Sequence, residues 1–321
     1  MSDALYKFLL DGEDPERSPV RGEIVSLDST WRQMCQLHDY PEPVMRTLGE
    51  LVAASALLTA NLKFSGALVM QIHGDGPVPL LVVECNADMT MRATATIVEG
   101  AKIGIDASFA ELVNTGGKGR FAITLDPKDR TQGQQPYQGI VPLEGASVAQ
   151  VLGNYMLRSE QLDTQLWLAA DDSRATGMLL QRLPLPGGTE YQSPSAVAIE
   201  IESALDTWQR GLAFANTLER SELLGTDPET LMRRLFWEET LRIFEPMRCS
   251  FLCTCSRERV ATMLVTLGQE EVNETLAEEG IVHVNCDFCN RSYDFDHVDC
   301  AQLFATTNTA DGLRQAPGTP H

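Results

Sequence analysis

Two close cysteine pairs near the end of the chain have the residue types and spacing to do chemistry. Cys253-Thr254-Cys255 is followed, thirty residues on, by Cys286-Asp287-Phe288-Cys289. Two such pairs, brought together by the fold between them, supply the four thiolates of a tetrahedral zinc site, each pair acting as one short knuckle. One zinc ion per chain, held by Cys253, Cys255, Cys286 and Cys289, is the expected ligation. The second pair has the usual C-x-x-C spacing, whereas the first is tighter than structural sites commonly use. In an extended strand that tight spacing puts both sulfurs on one side, and Arg257, Arg259 and Arg291 lie near enough in sequence to favour thiolates. Such sulfurs are reactive once zinc is displaced. A closed structural zinc ribbon satisfies the same spacing.

Cys249 and Cys300 flank the quartet, so six of the eight cysteines lie between positions 249 and 300. That density points to thiol chemistry as well as ligation, although a flanking cysteine can equally serve as a small buried hydrophobe. His283 or His297 could replace a thiolate, but four cysteines already close a site.

The rest of the composition narrows the setting. A chain of 321 residues is long enough for two or three units, and 43% hydrophobic with 22% charged residues is ordinary for a soluble globular protein. A formal net charge of −20 argues against nucleic acid, because Lys and Arg neutralising phosphates supply most of that affinity. Met1 to Leu10 has neither the basic nor the apolar region of a secretory signal. No run approaches the roughly 18 apolar residues of a membrane span, and Glu50 to Ala60, the most apolar helical stretch, reads as a buried helix. A cytoplasmic chain with no membrane contact is therefore expected. There its cysteines would be reduced at rest, which favours metal binding or redox sensing over permanent disulfides.

The elements that must position this chemistry follow from periodicity and punctuation. Strands are expected at Leu5 to Leu10 and Val20 to Ser26 around an Asp11-Gly12-Glu13-Asp14-Pro15 turn, and helices from Ser29 to His38 and Pro41 to Asn61. Alternating runs predict further strands at 66–72, 80–85, 89–98, 121–125, 137–143, 166–169 and 177–183, with a helix over 147–162. Strands and helices interleave without regular βα alternation, which predicts an α+β fold: an N-terminal mixed α/β core domain (1–186), a helical linker (187–248), a small C-terminal zinc-binding domain (249–305) and a disordered tail (306–321). The glycine-rich run from Gly116 to Arg120 lacks the GxxxxGK[ST] pattern of a phosphate loop. In the linker, Ile201, Leu205, Trp208 and Leu212 form one apolar seam of a helix over 197–220. Asp227-Pro228-Glu229 opens a second helix, to about Glu239, with Leu231 and Phe236 on its apolar side. These helices can bury their faces only by docking on something else. Helices at 258–266, 269–279 and 296–304, and a hairpin of 281–285 with 292–295 whose turn carries Cys286 and Cys289, complete the last domain.

With these segments in view, the sequence resembles the heat shock protein 33 family, redox-regulated chaperones of the bacterial cytosol. The resemblance rests on Cys253-Thr254-Cys255-Ser256-Arg257-Glu258-Arg259 and Cys286-Asp287-Phe288-Cys289. It extends to Gly74-Asp75-Gly76-Pro77, the run from Tyr137 to Leu143, Arg158-Ser159-Glu160-Gln161-Leu162 and Gly177-Met178-Leu179-Leu180-Gln181. It implies an ATP-independent holdase without enzymatic turnover, inactive when reduced and zinc-bound. Oxidation would form the Cys253-Cys255 and Cys286-Cys289 disulfides, release zinc and unfold the linker, and a homodimer would then bind unfolding client proteins. Cys35, Cys85, Cys249 and Cys300 are additional to the four-cysteine pattern and leave the pairing open. Two other readings stand beside it: a thiol-disulfide oxidoreductase using Cys286 and Cys289, and a zinc module whose binding never responds to redox state.

Overall fold

The structure, a computed structural model, describes residues 3–10, 19–63, 65–128, 136–184 and 194–312. The expected turn at Asp11 to Pro15, most of the Pro184 to Pro194 boundary and the tail beyond 312 lie outside the described residues. The chain forms two compact units, Met1–Leu252 and Cys253–His321.

The first unit begins with strands β1 (Ala4–Leu10) and β2 (Val20–Leu27) and helices α1 (Ser29–Cys35) and α2 (Glu42–Thr59). Strands β3 (Gly66–His73), β4 (Leu80–Asn86) and β5 (Thr90–Thr96) follow, then α3 (Phe109–Val113), β6 (Arg120–Pro127), β7 (Tyr137–Pro142), α4 (Val148–Ser159), β8 (Thr164–Ala170) and β9 (Ala175–Arg182). The linker region supplies α5 (Pro194–Ala215), α6 (Arg220–Gly225) and α7 (Pro228–Leu235), followed by the short strands β10 (Leu241–Ile243), β11 (Met247–Arg248) and β12 (Ser250–Phe251). One antiparallel sheet runs β10-β1-β2-β9-β8, with β11 also on β1, and a second runs β12-β5-β4-β3-β6-β7. Helix α2 packs against strands of both sheets. Its sequence is apolar on nearly every side, which suits a helix surrounded by protein rather than one lying on a surface.

The first sheet separates two cores. Leu5, Val25, Leu27 and Leu179 face the core around α2. Phe8, Leu10, Val20, Ile24, Met178 and Leu180 face the other way and receive Trp208, Ala215, Leu223, Leu231, Met232, Leu235 and Phe236 from the linker helices. Gly22 makes room for this: a Cβ there would sit 2.0 Å from the Phe8 ring, which meets Phe236 at 5.3 Å between centroids. Polar clips reinforce the docking. Arg174 bonds the Asp28 carboxylate and donates to the Leu224 carbonyl, Arg220 donates to the Ala170 carbonyl, and Arg210 pairs with Glu239.

Several expectations shift. Ile201 and Leu205 are 43% and 37% exposed, while α5 buries Ala204, Thr207, Trp208, Gly211 and Ala215. Small residues let the helix approach the sheet closely, so they, rather than the largest side chains, select the inward face. Leu212 is half-buried against the same core, and Trp208, Leu231 and Phe236 are buried within it. The linker helix expected over 197–220 breaks into α5 and α6, and α1 stops at Cys35. The boundary expected before Cys249 falls instead after Leu252. Cys249 donates its N–H to the Asp3 carbonyl and β12 pairs in parallel with β5, which ties this stretch to the first unit.

In the second unit, α8 (Arg257–Leu267) and α9 (Gln269–Glu279) precede the hairpin of β13 (Val282–Asn285) and β14 (Ser292–Phe295), and α10 (His297–Gly312) follows. Ser256 caps α8 through the Arg259 N–H, and Gly280, at φ 77°, ends α9 in the left-handed conformation. Helix α10 runs past the expected end at Phe304 to Gly312, the first glycine in its path.

Candidate metal centre

The two cysteine pairs reach one point by different local routes. Cys286 opens the turn of the β13–β14 hairpin, where Cys289 and Asn290 donate their N–H groups to the Cys286 carbonyl and Cys286 donates to the Arg291 carbonyl. Asn290 takes the left-handed φ of 54° that the tight turn needs, a conformation asparagine tolerates well. Cys253 and Cys255 lie in the irregular lead into α8, not in the extended strand expected for them. Helix α8 begins two residues after Cys255, so the Ser256 cap sets how this pair approaches the hairpin.

The four sulfurs lie within 4.8 Å of one another, with Cys253 Sγ 3.7 Å from Cys286 Sγ and Cys255 Sγ 3.4 Å from Cys289 Sγ. A tetrahedron with metal–sulfur arms of about 2.3 Å has edges of about 3.8 Å, so the donor set and spacing suit one zinc-sized ion. All four cysteines are half-buried, and none of the eight is in a disulfide. Among the described residues the group that could hold a metal ion consists of these four. His283 instead bonds Asp294 through Nδ1 at 2.7 Å.

The sulfurs are electrostatically unequal. At Cys255 burial acts upward, but hydrogen bonds from the Tyr293 hydroxyl and from the neighbouring thiols bring the thiol down to about 7. Cys289 is pushed up to about 12, first by burial and then by the adjacent sulfurs, and burial also raises Cys286. The nearby arginines divide their roles. Arg257 pairs with Asp299 at 2.7 Å and lies 4.2 Å over the Phe295 ring, Arg259 donates to Thr254, and Arg291 stands beside Tyr293, Cys255 and Cys289.

The remaining cysteines are placed differently. Cys85 and Cys249 are buried in the first unit's core and Cys300 in the second's. Burial pushes Cys35, Cys85 and Cys249 up to about 12 and raises Cys300. A thiol kept protonated in an apolar setting is inert. Tyr293 escaped the sequence reading. Its signal was an aromatic at an inward position of a strand that starts three residues after Cys289.

With the geometry established, comparison identifies the lineage. A family model described as Hsp33 protein matches residues 3–296. The chain belongs to the Hsp33 family. The 33 kDa chaperonin of Methylobacillus flagellatus is 48% identical, covering 95% of this chain and 96% of the relative. That of Chromobacterium violaceum is 47% identical over 94% of each chain. The crystal structure of a 33 kDa chaperonin (heat shock protein 33 homolog) from Thermotoga maritima shares the fold at TM-score 0.73. It is 19% identical and covers 95% of this chain and 99% of that one. As a member of the Hsp33 family, the chain is a chaperone with an α+β fold.

Proposed function

We propose that this Hsp33-family chain is a redox-switched, ATP-independent holdase of the cytoplasm. One zinc ion held by Cys253, Cys255, Cys286 and Cys289 keeps it inactive when reduced. The observation that carries the reading is the convergence of four half-buried sulfurs from two chain-distant knuckles. When bound, zinc holds the four sulfurs as thiolates and contributes folding free energy on the order of 10 kcal/mol or more, which a unit with so few apolar residues does not supply otherwise. Oxidation within each pair, Cys253 with Cys255 and Cys286 with Cys289, removes the ligands. The second unit then unfolds from Cys253, two residues after β12, the strand that pairs the end of the linker with β5. The linker's Trp208, Leu212, Leu231 and Phe236, and the sheet face of Phe8 and Ile24 they cover, become surface for unfolding client proteins, with a homodimer as the active form. Ile201 and Leu205, already exposed, extend that surface.

The oxidoreductase alternative is weaker, because Cys286 and Cys289 sit in a hairpin turn rather than at a helix start, where attacking thiols are activated. Zinc content and suppression of client aggregation, measured before and after peroxide, test the proposal. Zinc loss accompanied by gain of suppression is expected, without catalytic turnover in an insulin-reduction assay. Equal suppression in both states would overturn it.

A further inference from the structure

The hydroxyl of Tyr293 donates to Cys255 Sγ at 3.1 Å. The ring is buried in the second unit's core with Phe295, and strand register holds it opposite Val284, so the hydroxyl is fixed in place. A phenol has one proton to donate, and a guanidinium can only donate. Arg291, the exposed neighbour, places its positive charge beside the same phenol. The phenol's single proton is committed to Cys255, and the neighbouring cation makes it a stronger donor.

We infer that Tyr293 is a positioning residue that shields Cys255 from oxidant and so slows its entry into disulfide formation. The inference rests on the redox reading above. In the zinc-loaded site all four sulfurs are thiolates whatever their acidity without metal, so donation into a sulfur lone pair no longer promotes ionisation and only lowers nucleophilicity. With peroxide, one thiolate of the Cys286–Cys289 pair attacks the O–O bond, giving a sulfenic acid and hydroxide. The other thiolate displaces a second hydroxide from that sulfur and forms the S–S bond. Two thiolates and one hydrogen peroxide thus give one disulfide and two hydroxides, the two electrons passing from sulfur to oxygen. Cys255 enters this chemistry late because its lone pair is engaged.

The test uses the full chain loaded with zinc, as parent and as Tyr293→Phe. Each disulfide is timed by acid quenching, alkylation and mass spectrometry, and zinc release is followed with a chromogenic chelator. In the parent, Cys286–Cys289 closes ahead of Cys253–Cys255. In Tyr293→Phe the lag collapses and zinc release quickens on the order of threefold. Loss of a purely structural contact would loosen the unit and expose every sulfur alike. Iodoacetamide labelling of the unoxidised, zinc-loaded protein is therefore read cysteine by cysteine. A rise confined to Cys255 supports the inference, and a uniform rise or none overturns it. Should Tyr293→Phe fail to hold zinc, Arg291→Met keeps the ring and hydroxyl but removes the cation that strengthens the phenol as a donor, and the same readouts apply with a smaller change of the same sign. A parent that neither holds zinc nor loses it to peroxide brings down the redox reading. A parent that does both, alongside a variant with unchanged order and rates, brings down only the role of Tyr293.

Discussion

The linker helices and the four-cysteine unit are held by different forces. The linker spreads its attachment over a sheet face, where Trp208, Leu231, Met232, Leu235 and Phe236 meet Phe8, Leu10, Ile24 and Leu180. Each contact is modest, and none involves a group that peroxide attacks readily except the thioethers of Met178 and Met232. The second unit gathers Val260, Leu264, Val272, Leu276, Val282, Tyr293, Phe295, Cys300 and Phe304 into a small cluster and adds four sulfurs at one point. Apolar docking weakens by degrees as residues are lost, whereas a tetrahedral thiolate site fails when one ligand goes. On the proposed reading the second unit is the trigger and the linker a responder whose threshold can be tuned.

Three experiments probe that contrast, beginning with the largest expected effect. Cys289→Ser replaces a soft thiolate by a hydroxyl and removes one corner of the site. Zinc should fall from one per chain to near zero, a loss on the order of 10 kcal/mol to the second unit. Elemental analysis reads the metal, and proteolysis beyond Leu252 reads the unfolding. Full retention of zinc would break the four-sulfur assignment.

Phe236→Asp should cost roughly 3–5 kcal/mol in linker docking, the usual range for losing a buried aromatic, with the buried charge adding to it. Its paired control is Leu205→Asp at an exposed position, expected within about 0.5 kcal/mol of the parent. Limited proteolysis of residues 194–248, at unchanged zinc content, distinguishes them. If both variants open equally, apolar docking through the buried face is not what holds the linker.

The smallest effect is one of pH, and its sign differs between the regions. Glu23, 1% exposed in the first unit, is raised to about 7 by burial, which the Arg21 and Lys7 charges only partly offset. A folded-state value above the ordinary one means that its stabilising contribution is complete at acid pH and is lost as pH rises through about 7. The thiols must shed protons to bind metal, so the second unit weakens as pH falls. Denaturant titration of the first unit at pH 5.5 and 8 should show greater stability at the lower pH. Glu23→Gln should flatten that dependence and add on the order of 2 kcal/mol at pH 8. Chelator competition should show zinc held more weakly at pH 5.5. The same sign of pH dependence in both regions would remove this distinction between them.

Much of the architecture was legible because it is written locally. Helix α2 is apolar around its circumference, α7 opens with a capping Asp227 and Pro228, and α9 begins and ends where Gly268 and Gly280 punctuate the chain. The β13–β14 hairpin with cysteines in its turn was equally readable, since two alternating runs flank a short gap. Strands β10, β11 and β12, two or three residues each, went unseen because so short a segment shows no period. Helix α3 is short for the same kind of pattern, although Ser108 and Glu111 form a capping box at its start.

By itself the sequence picked out the four cysteines that the fold gathers at one point, and the family. Both depend on residue type and spacing, which survive any uncertainty about packing. Tertiary structure alone decided which face of α5 turns inward, because periodicity weighs side-chain size while a close approach to a sheet rewards Ala204, Gly211 and Ala215. It also decided that Cys249 to Leu252 belong with the first unit. That assignment depends on pairing Ser250 with Thr90, a contact between segments far apart in the chain that no local pattern encodes. The donor to Cys255 was settled the same way, since the Tyr293 hydroxyl meets that sulfur only after the hairpin and the lead into α8 are brought together.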